Sequence, residues 1–441
     1  MLTEFINYIS ENKMLDSGAR VLLTVSGGID SMVMTDLFLK AGYETGMAHC
    51  NFSLRGKDSD MDEELVRKFA EQNNLPFYSV KFSTKEFAKR ENLSIQMAAR
   101  QLRYGWFEQI RLDNGYDMIA VAHNENDNIE TLLINLVRGT GISGLTGMRP
   151  VSKKIIRPLL FASRSEIVQY SNKYNISFRE DRSNADTKYT RNKIRHLIIP
   201  VLKKINPALE KTLSETIGRL RETDELVDRF ISEIRENISE SDGVTITFDV
   251  IKLEKYLNEK SVLYELFRPF GLSGAQTADL MNIICGKTGG QLYTASHRIL
   301  KNRNKIILSP KDKVTDSQYI IYNKADMENI PFIVSANTQE IKHGFVIPED
   351  KLTACLDENE IDYPLIIRRW KNGDYFYPLG MKNRKKISDF LIDIKKSLLE
   401  KEKINVLVSG GRIAWVIGER IDSRFMIKAS TKMVLIIKSK N

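Results

Sequence analysis

Six residues near the start of the chain, Ser26-Gly27-Gly28-Ile29-Asp30-Ser31, have the make-up of a phosphate cradle. Paired glycines let backbone N–H groups approach an anion closely, serine hydroxyls add donors, and a helix start turns its partial positive charge on the phosphates. Asp30 is placed to hold a magnesium ion or to orient the loop. A second group follows at His123, Asp127 and Glu130. The two carboxylates are three positions apart, on one face of a helix, and could meet one ligand, a magnesium ion or an ammonium group.

The surroundings give these groups their places. From residue 20 to about 160, apolar runs ("VLLTV", "TGMAHC", "FYSVKF", "DMIAVAH") alternate with helical patterns such as "SMVMTDLFLKAG" and "DNIETLLINLVRG". Strands joined by helical crossovers predict a doubly wound parallel α/β sheet, and ligands in such sheets bind beyond the carboxyl ends of the strands. Both groups fall at such ends. The pattern predicts a catalytic domain over 1–205. A helical middle domain over 206–320 follows, opening with the amphipathic helix "ALEKTLSETIGRLRETDELVDRFISEIREN" and carrying one or two strands. A small α+β domain over 321–441 closes the chain, with a helix around "KISDFLIDIKKSLLEKEK".

A second Ser-Gly-Gly, Ser409 to Gly411, also follows an apolar strand, in "INVLVSGGRIAWVIG". It lacks the acidic residue and the second serine, and the alternation after it favours another strand. The reading is a tight hairpin turn without chemistry.

The chain has 441 residues, 42% hydrophobic and 28% charged, as in an ordinary globular protein. Its formal charge of +9 suits a polyanionic partner such as nucleic acid, or merely a basic surface. The stretch "RRWKNGDYFYPLGMKNRKK" mixes cations with aromatics, as RNA surfaces do. Cys50, Cys285 and Cys355 lie far apart with no C-x-x-C, which suggests a reducing cytoplasm and no zinc or iron–sulfur site. No export signal or membrane-spanning run is read.

The Ser26 to Ser31 loop is neither the G-x-x-x-x-G-K-[ST] nor the G-x-G-x-x-G phosphate motif. It resembles the S-G-G-x-D-S loop of the ATP pyrophosphatases, the PP-loop family, which cleave ATP between its α and β phosphates. Further segments are similar to one branch, the tRNA(Ile)-lysidine synthetases. They are "AHCNFSLRGKDSDMDEE" with His49, Arg55 and Gly56, "AARQLRYGWF" with Arg100, Arg103 and Tyr104, and "VAHNENDNIETLLINLVRGTGISGLTGM". "IIRPLL" and "REDRSNADTKYTRNKIRHLIIP" complete the set. Asn124 and Asn126 depart from the family's H-H-x-D-D pattern by replacing a histidine and an aspartate with neutral amides.

The resemblance implies ATP bound by Ser26, Gly27, Gly28, Ile29, Asp30, Ser31, His49, Arg100, His123, Arg138 and Gly139, with Mg2+ on Asp30 and Asp127. Asp127, Glu130 and Arg195 would receive free L-lysine. The reaction implied is adenylation of the wobble cytidine in the CAU anticodon of tRNA(Ile), with pyrophosphate released, then displacement of AMP by the lysine amine. A homodimer is among the expectations. Three competing readings stay open: an RNA thiolase, an amide-forming synthetase, and a noncatalytic nucleotide-dependent RNA-binding protein.

Overall fold

A computed structural model describes residues 1–54, 56–179, 190–311, 318–342, 345–381 and 383–440. Arg55, Lys382 and residues 180–189 of the "REDRSNADTKYTRNKIRHLIIP" segment lie outside the described residues. The chain divides into two compact units, Met1–Arg229 and Phe230–Asn441.

In the first unit the elements run α1 (Leu2–Glu11), β1 (Arg20–Thr24), α2 (Ile29–Lys40), β2 (Glu44–Asn51), α3 (Lys57–Gln72) and β3 (Phe77–Lys81). They continue with α4 (Thr84–Arg90), α5 (Ile95–Asp113), β4 (Met118–Val121), α6 (Glu125–Arg138) and α7 (Ile142–Leu145). After these come β5 (Val151–Ser152), β6 (Ile155–Ile156), α8 (Arg164–Lys173), α9 (Thr190–Lys193) and α10 (Ile199–Ile205), and the long α11 (Leu209–Ile238) runs past Arg229 into the second unit. The sheet has the order β3-β2-β1-β4-β6-β5, parallel except for β5. This is the doubly wound sheet that the alternating pattern predicts.

Strand β1 shows why the sequence folds this way. Val21 and Leu23 pack with Phe5, Met32, Leu37 and Val66, whereas Leu22 packs with Ala48, Phe107 and Ile119. Successive side chains thus enter opposite layers, and a strand covered on both faces must be apolar throughout. Since β1 and β4 are parallel neighbours, the chain leaves both at the same sheet edge. The glycine loop after β1 and the head of α6 after β4 are brought together there.

In the second unit, residues 239–310 hold a five-stranded antiparallel sheet with helices Val250–Glu254, Lys260–Phe267 and Thr277–Cys285. The sequence reading expected one or two strands. Segments as short as Ser239–Ser241 and Gln291–Tyr293 are too brief to show alternation, and only ladder pairing reveals them.

The carboxyl-terminal part forms a five-stranded and a three-stranded sheet. Asn405–Ser409 and Arg412–Val416 pair as the expected hairpin, with Gly410 at φ 52° and Gly411 at φ 75°. Positive φ at both turn positions is what makes those glycines necessary. The single helix expected near 386–403 is two, Ile387–Asp393 and Leu398–Lys403. Ser397 accepts from Glu400 N and the Glu400 side chain accepts from Ser397 N, a capping box that starts a new helix.

Candidate active site

The loop after β1 is held in shape by its own serines. Ser31 Oγ donates to Gly28 O at 2.8 Å and accepts from Ser26 N at 3.2 Å, while Ser26 Oγ accepts from Gly28 N at 3.3 Å. Gly27 sits at φ 86°, a conformation that disfavours a side chain, and a Cβ there would lie 3.4 Å from the Asp62 carbonyl oxygen. Gly28 is the N-cap of α2 and no side chain caps that helix. The first N–H groups of α2 therefore have no intrahelical acceptor and can serve an anion.

Beside the loop lies a cavity of about 220 Å³, lined by Ser26, Gly28, Asp30 and Ser31 of the loop together with Phe52, Arg103, Tyr104, Phe107 and His123. Arg103 lines it, and Arg100 meets it through the lining ring of Tyr104. Arg103 lies 5.1 Å from the Phe52 ring centroid and Arg100 lies 4.8 Å from that of Tyr104. A hydroxyl-lined glycine loop and aromatic rings lining one cavity offer the polar and flat apolar surfaces that a nucleotide needs.

A chain of hydrogen bonds runs from that loop to the head of α6. Asn124 Nδ2 donates to Asp30 Oδ1 at 3.1 Å, and Asn124 Oδ1 accepts from Asp127 N at 3.0 Å. Asp127 Oδ2 in turn accepts from Asn124 N at 3.3 Å, completing a capping box. Arg195 then links the two carboxylates, meeting Glu130 Oε1 at 2.5 Å, Glu130 Oε2 at 3.0 Å and Asp127 Oδ1 at 3.3 Å. Asp30, Asp127, Glu130 and Arg195, named from sequence, thus form one connected group.

Local electrostatics separate their roles. Glu130 is 1% exposed and its pKa is raised, burial outweighing its bond to Arg195; Asp127 keeps 17% exposure. The imidazole of His123 is pushed down to about 3, by burial and then by the charges of Arg157, Arg191, Arg100 and Arg103. It is neutral at physiological pH. Cys50, the one cysteine on the cavity wall among the described residues, has its thiol pushed up to about 12 by burial. Such a thiol is a poor sulfur nucleophile.

Other expected site residues lie apart from the cavity wall. His49 is buried in β2, with Nδ1 2.8 Å from Val25 O, so it braces the end of β1 from behind. Arg138 and Gly139 stand at the far end of α6, whose 14 residues span about 20 Å from Asn124. Sequence reasoning missed Arg164, whose Nη1 lies 2.5 Å from Asp30 Oδ2, and Arg191, which reaches Glu130 Oε2 at 3.4 Å and Thr131 Oγ1 at 3.0 Å. Arg164 heads α8 with no motif of its own. Its backbone N donates to Asn126 Oδ1 at 2.8 Å, a link across 38 positions that no sequence signal announces.

No cluster of three or more His, Cys, Asp or Glu able to hold a metal occurs among the described residues. Magnesium usually takes one or two carboxylates and completes its shell with water and substrate phosphates. Asp30 and Asp127, both bonded to Asn124 at the edge of the phosphate loop, fit that smaller demand.

Known proteins resemble this chain along its whole length. A profile for the PP-loop domain matches residues 2–202, one for the TilS substrate binding domain matches 241–311, and one for the TilS substrate C-terminal domain matches 365–437. A Bacteroides thetaiotaomicron protein named tRNA(Ile)-lysidine synthase is 38% identical over 439 residues, covering 98% of each chain. Proteins of the same name from Parabacteroides distasonis and Porphyromonas gingivalis are 37% and 35% identical, covering 98% of both chains and 95% and 94% respectively.

Proposed function

This chain belongs to the tRNA(Ile)-lysidine synthase family, and from that premise we propose how its residues divide the work. It is an ATP-using ligase that modifies tRNA, joining lysine to the wobble cytidine of the CAU anticodon. The observation that carries the residue assignments is the unbroken link from Asp30 through Asn124 and Asp127 to Arg195 and Glu130.

The loop N–H groups and the head of α2 bind the ATP phosphates, and the carbon-2 oxygen of the cytidine attacks the α phosphate. Pyrophosphate leaves and the base is adenylated. Asp30 and Asp127 are the residues that would hold Mg2+, and a bound ion would supply positive charge to offset that of the phosphates. Neutral His123 donates or accepts a hydrogen bond at the nucleotide without adding charge.

Free lysine then enters between Asp127 and Arg195. Its α-carboxylate suits the Arg195 guanidinium, and its ε-ammonium suits a carboxylate. That amine has an ordinary pKa of about 10.4 and must shed a proton before it attacks carbon 2 and displaces AMP. Asp127 is the better acceptor because it is the more open to solvent and its oxygens are held only at 3.3 Å, by Asn124 N and Arg195, whereas Arg195 grips both oxygens of Glu130 at 2.5 and 3.0 Å. Glu130 keeps Arg195 aimed.

A target base must leave its stack to reach an enclosed site, as loop bases do readily. We assign residues 206–320 and 321–441 to tRNA binding, with the exposed Arg384, stacked 5.3 Å from the Tyr375 ring centroid, among the contacts. The thiolase reading loses support from the protonated, solitary Cys50. No helix of the described residues is long and apolar enough to cross a membrane.

The test is pyrophosphate release from ATP with tRNA(Ile) and lysine each present or absent, followed by the mass of the wobble nucleoside. Release that needs the tRNA, with a lysine-sized mass gain when lysine is supplied, is expected. ATP and tRNA binding without any release would return the protein to the noncatalytic reading.

A further inference from the structure

Arg157 is a buried cation without an anion. It is 9% exposed, and no Asp or Glu among the described residues pairs with it. Its Nη1 donates to Arg149 O at 2.7 Å, and its buried Nε has no hydrogen-bond partner. Burial lowers its pKa, with neighbouring Tyr104 opposing the shift and Arg100 adding to it. Withdrawing a guanidinium from water is costly, and leaving it unpaired forgoes the usual compensation.

Its place in the fold is equally specific. Strand β6 runs parallel to β4 with Ile155 opposite Ile119 and Ile156 opposite Ala120, so Arg157 follows at the carboxyl end of β6, beside Val121. Val121, Ala122 and His123 wall the nucleotide cavity. Among the four arginines that act on His123, Arg157 acts most strongly. The others already have partners: Arg191 on Glu130, Arg100 on the Tyr104 ring and Arg103 on the Phe52 ring.

From this geometry we infer that Arg157 is a phosphate-binding residue of the nucleotide site, held without a counter-ion until ATP supplies one. A phosphate oxygen offers Nε and the free face of the guanidinium charge-assisted bonds that no carboxylate among the described residues provides. Nine-tenths burial favours a phosphate of ATP or pyrophosphate, which enters the cavity, over the RNA backbone, which stays at the surface. The inference rests on ATP use by this site.

The experiment compares Arg157→Met and Arg157→Lys with the wild type at fixed ionic strength. It reads the melting temperature without ligand, then the affinities for ATP, inorganic pyrophosphate and tRNA. The Met variant should melt no lower than the wild type, because it removes an unpaired buried charge, and should bind ATP and pyrophosphate about tenfold or more weakly. The Lys variant should recover part of that affinity, and tRNA affinity should hold.

A lower melting temperature in the Met variant with unchanged ATP and pyrophosphate affinity would overturn the inference, leaving Arg157 as the anchor of the Arg149 carbonyl. So would a joint loss of stability and affinity that the Lys variant does not relieve. A loss confined to tRNA would move the residue to the RNA backbone and equally overturn it. Wild-type protein that ignores both ATP and pyrophosphate would instead remove the nucleotide reading of the whole site.

Discussion

Arg195 clasps Glu130 through two bonds, Nε to Oε1 at 2.5 Å and Nη2 to Oε2 at 3.0 Å, and the same Nη2 stands 3.3 Å from Asp127. Glu130 is sealed under this clasp, with Arg191 also 3.4 Å from its Oε2, while Asp127 and Arg195 keep an open edge. Two carboxylates on one helix face therefore differ in what they can do. Glu130 orients a cation, and Asp127 can meet a substrate.

Replacing Glu130 separates these roles. Glu130→Ala leaves Arg195 without its main partner and should cost about 3 kcal/mol of stability, visible as a lower urea midpoint. Glu130→Gln keeps the volume and should release pyrophosphate normally while losing lysine transfer and raising the lysine KM. Unchanged lysine affinity and turnover in the Gln variant would take Glu130 out of the lysine site.

Asp30 carries a different expectation. Its oxygens are held by Asn124 and Arg164, and its side chain keeps 28% exposure, so Asp30→Ala should fold. Pyrophosphate release should vanish in that variant. Arg164→Ala should slow release by about tenfold through looser placement of Asp30, as expected when a charge-assisted bond is removed. Release at the wild-type rate in Asp30→Ala would exclude that carboxylate from the first step.

Asn124 both caps α6 and tethers Asp30, and serine can do only the first. Asn124→Ala should lose about 1 kcal/mol with the cap gone, whereas Asn124→Ser should keep the wild-type melting temperature. Both should slow pyrophosphate release. If the Ser variant releases at full rate, the tether to Asp30 has no catalytic weight.

His123 predicts an acid slope in stability. With a folded pKa of about 3 against the ordinary 6.5, it stays neutral where the unfolded chain has taken up a proton. Its contribution is whole above pH 6.5 and is lost as pH falls from 6.5 toward 3, by up to about 1.4 kcal/mol per unit. Denaturant titrations of His123→Gln across that window should show this part of the slope removed. An identical slope in wild type and variant would mean that His123 is protonated in the folded protein.

The basic stretch near residue 384 makes a salt-dependent prediction. Arg384 and Lys386 are exposed, while Lys385 is paired with Asp393. Arg384→Ala with Lys386→Ala should weaken tRNA binding and flatten its dependence on salt, the logarithmic slope falling by about 0.7 to 0.9 for each phosphate left unneutralised. Lys385→Ala should matter less. Binding with an unaltered slope would make this stretch a solvated face.

Much of this protein was legible in its sequence because the information was local. The order of strands and helices, the glycine loop at Ser26 to Ser31, the shared face of Asp127 and Glu130, and the hairpin at Gly410 and Gly411 each follow from a few neighbouring residues. Backbone conformation and side-chain periodicity are short-range properties. What only the tertiary structure decided concerns residues far apart in the chain that the parallel sheet brings to one edge. Asn124, which looked like a gap in a motif, holds Asp30, 94 positions away. Arg164 reaches Asp30 across 134 positions, and Arg195 reaches Glu130 across 65. Arg138, next in line after the α6 motif, is carried about 20 Å from the head of that helix by its rise. Whether a charge is paired, sealed or open depends on those long-range neighbours and on the water they exclude, and neither is encoded in spacing along the chain.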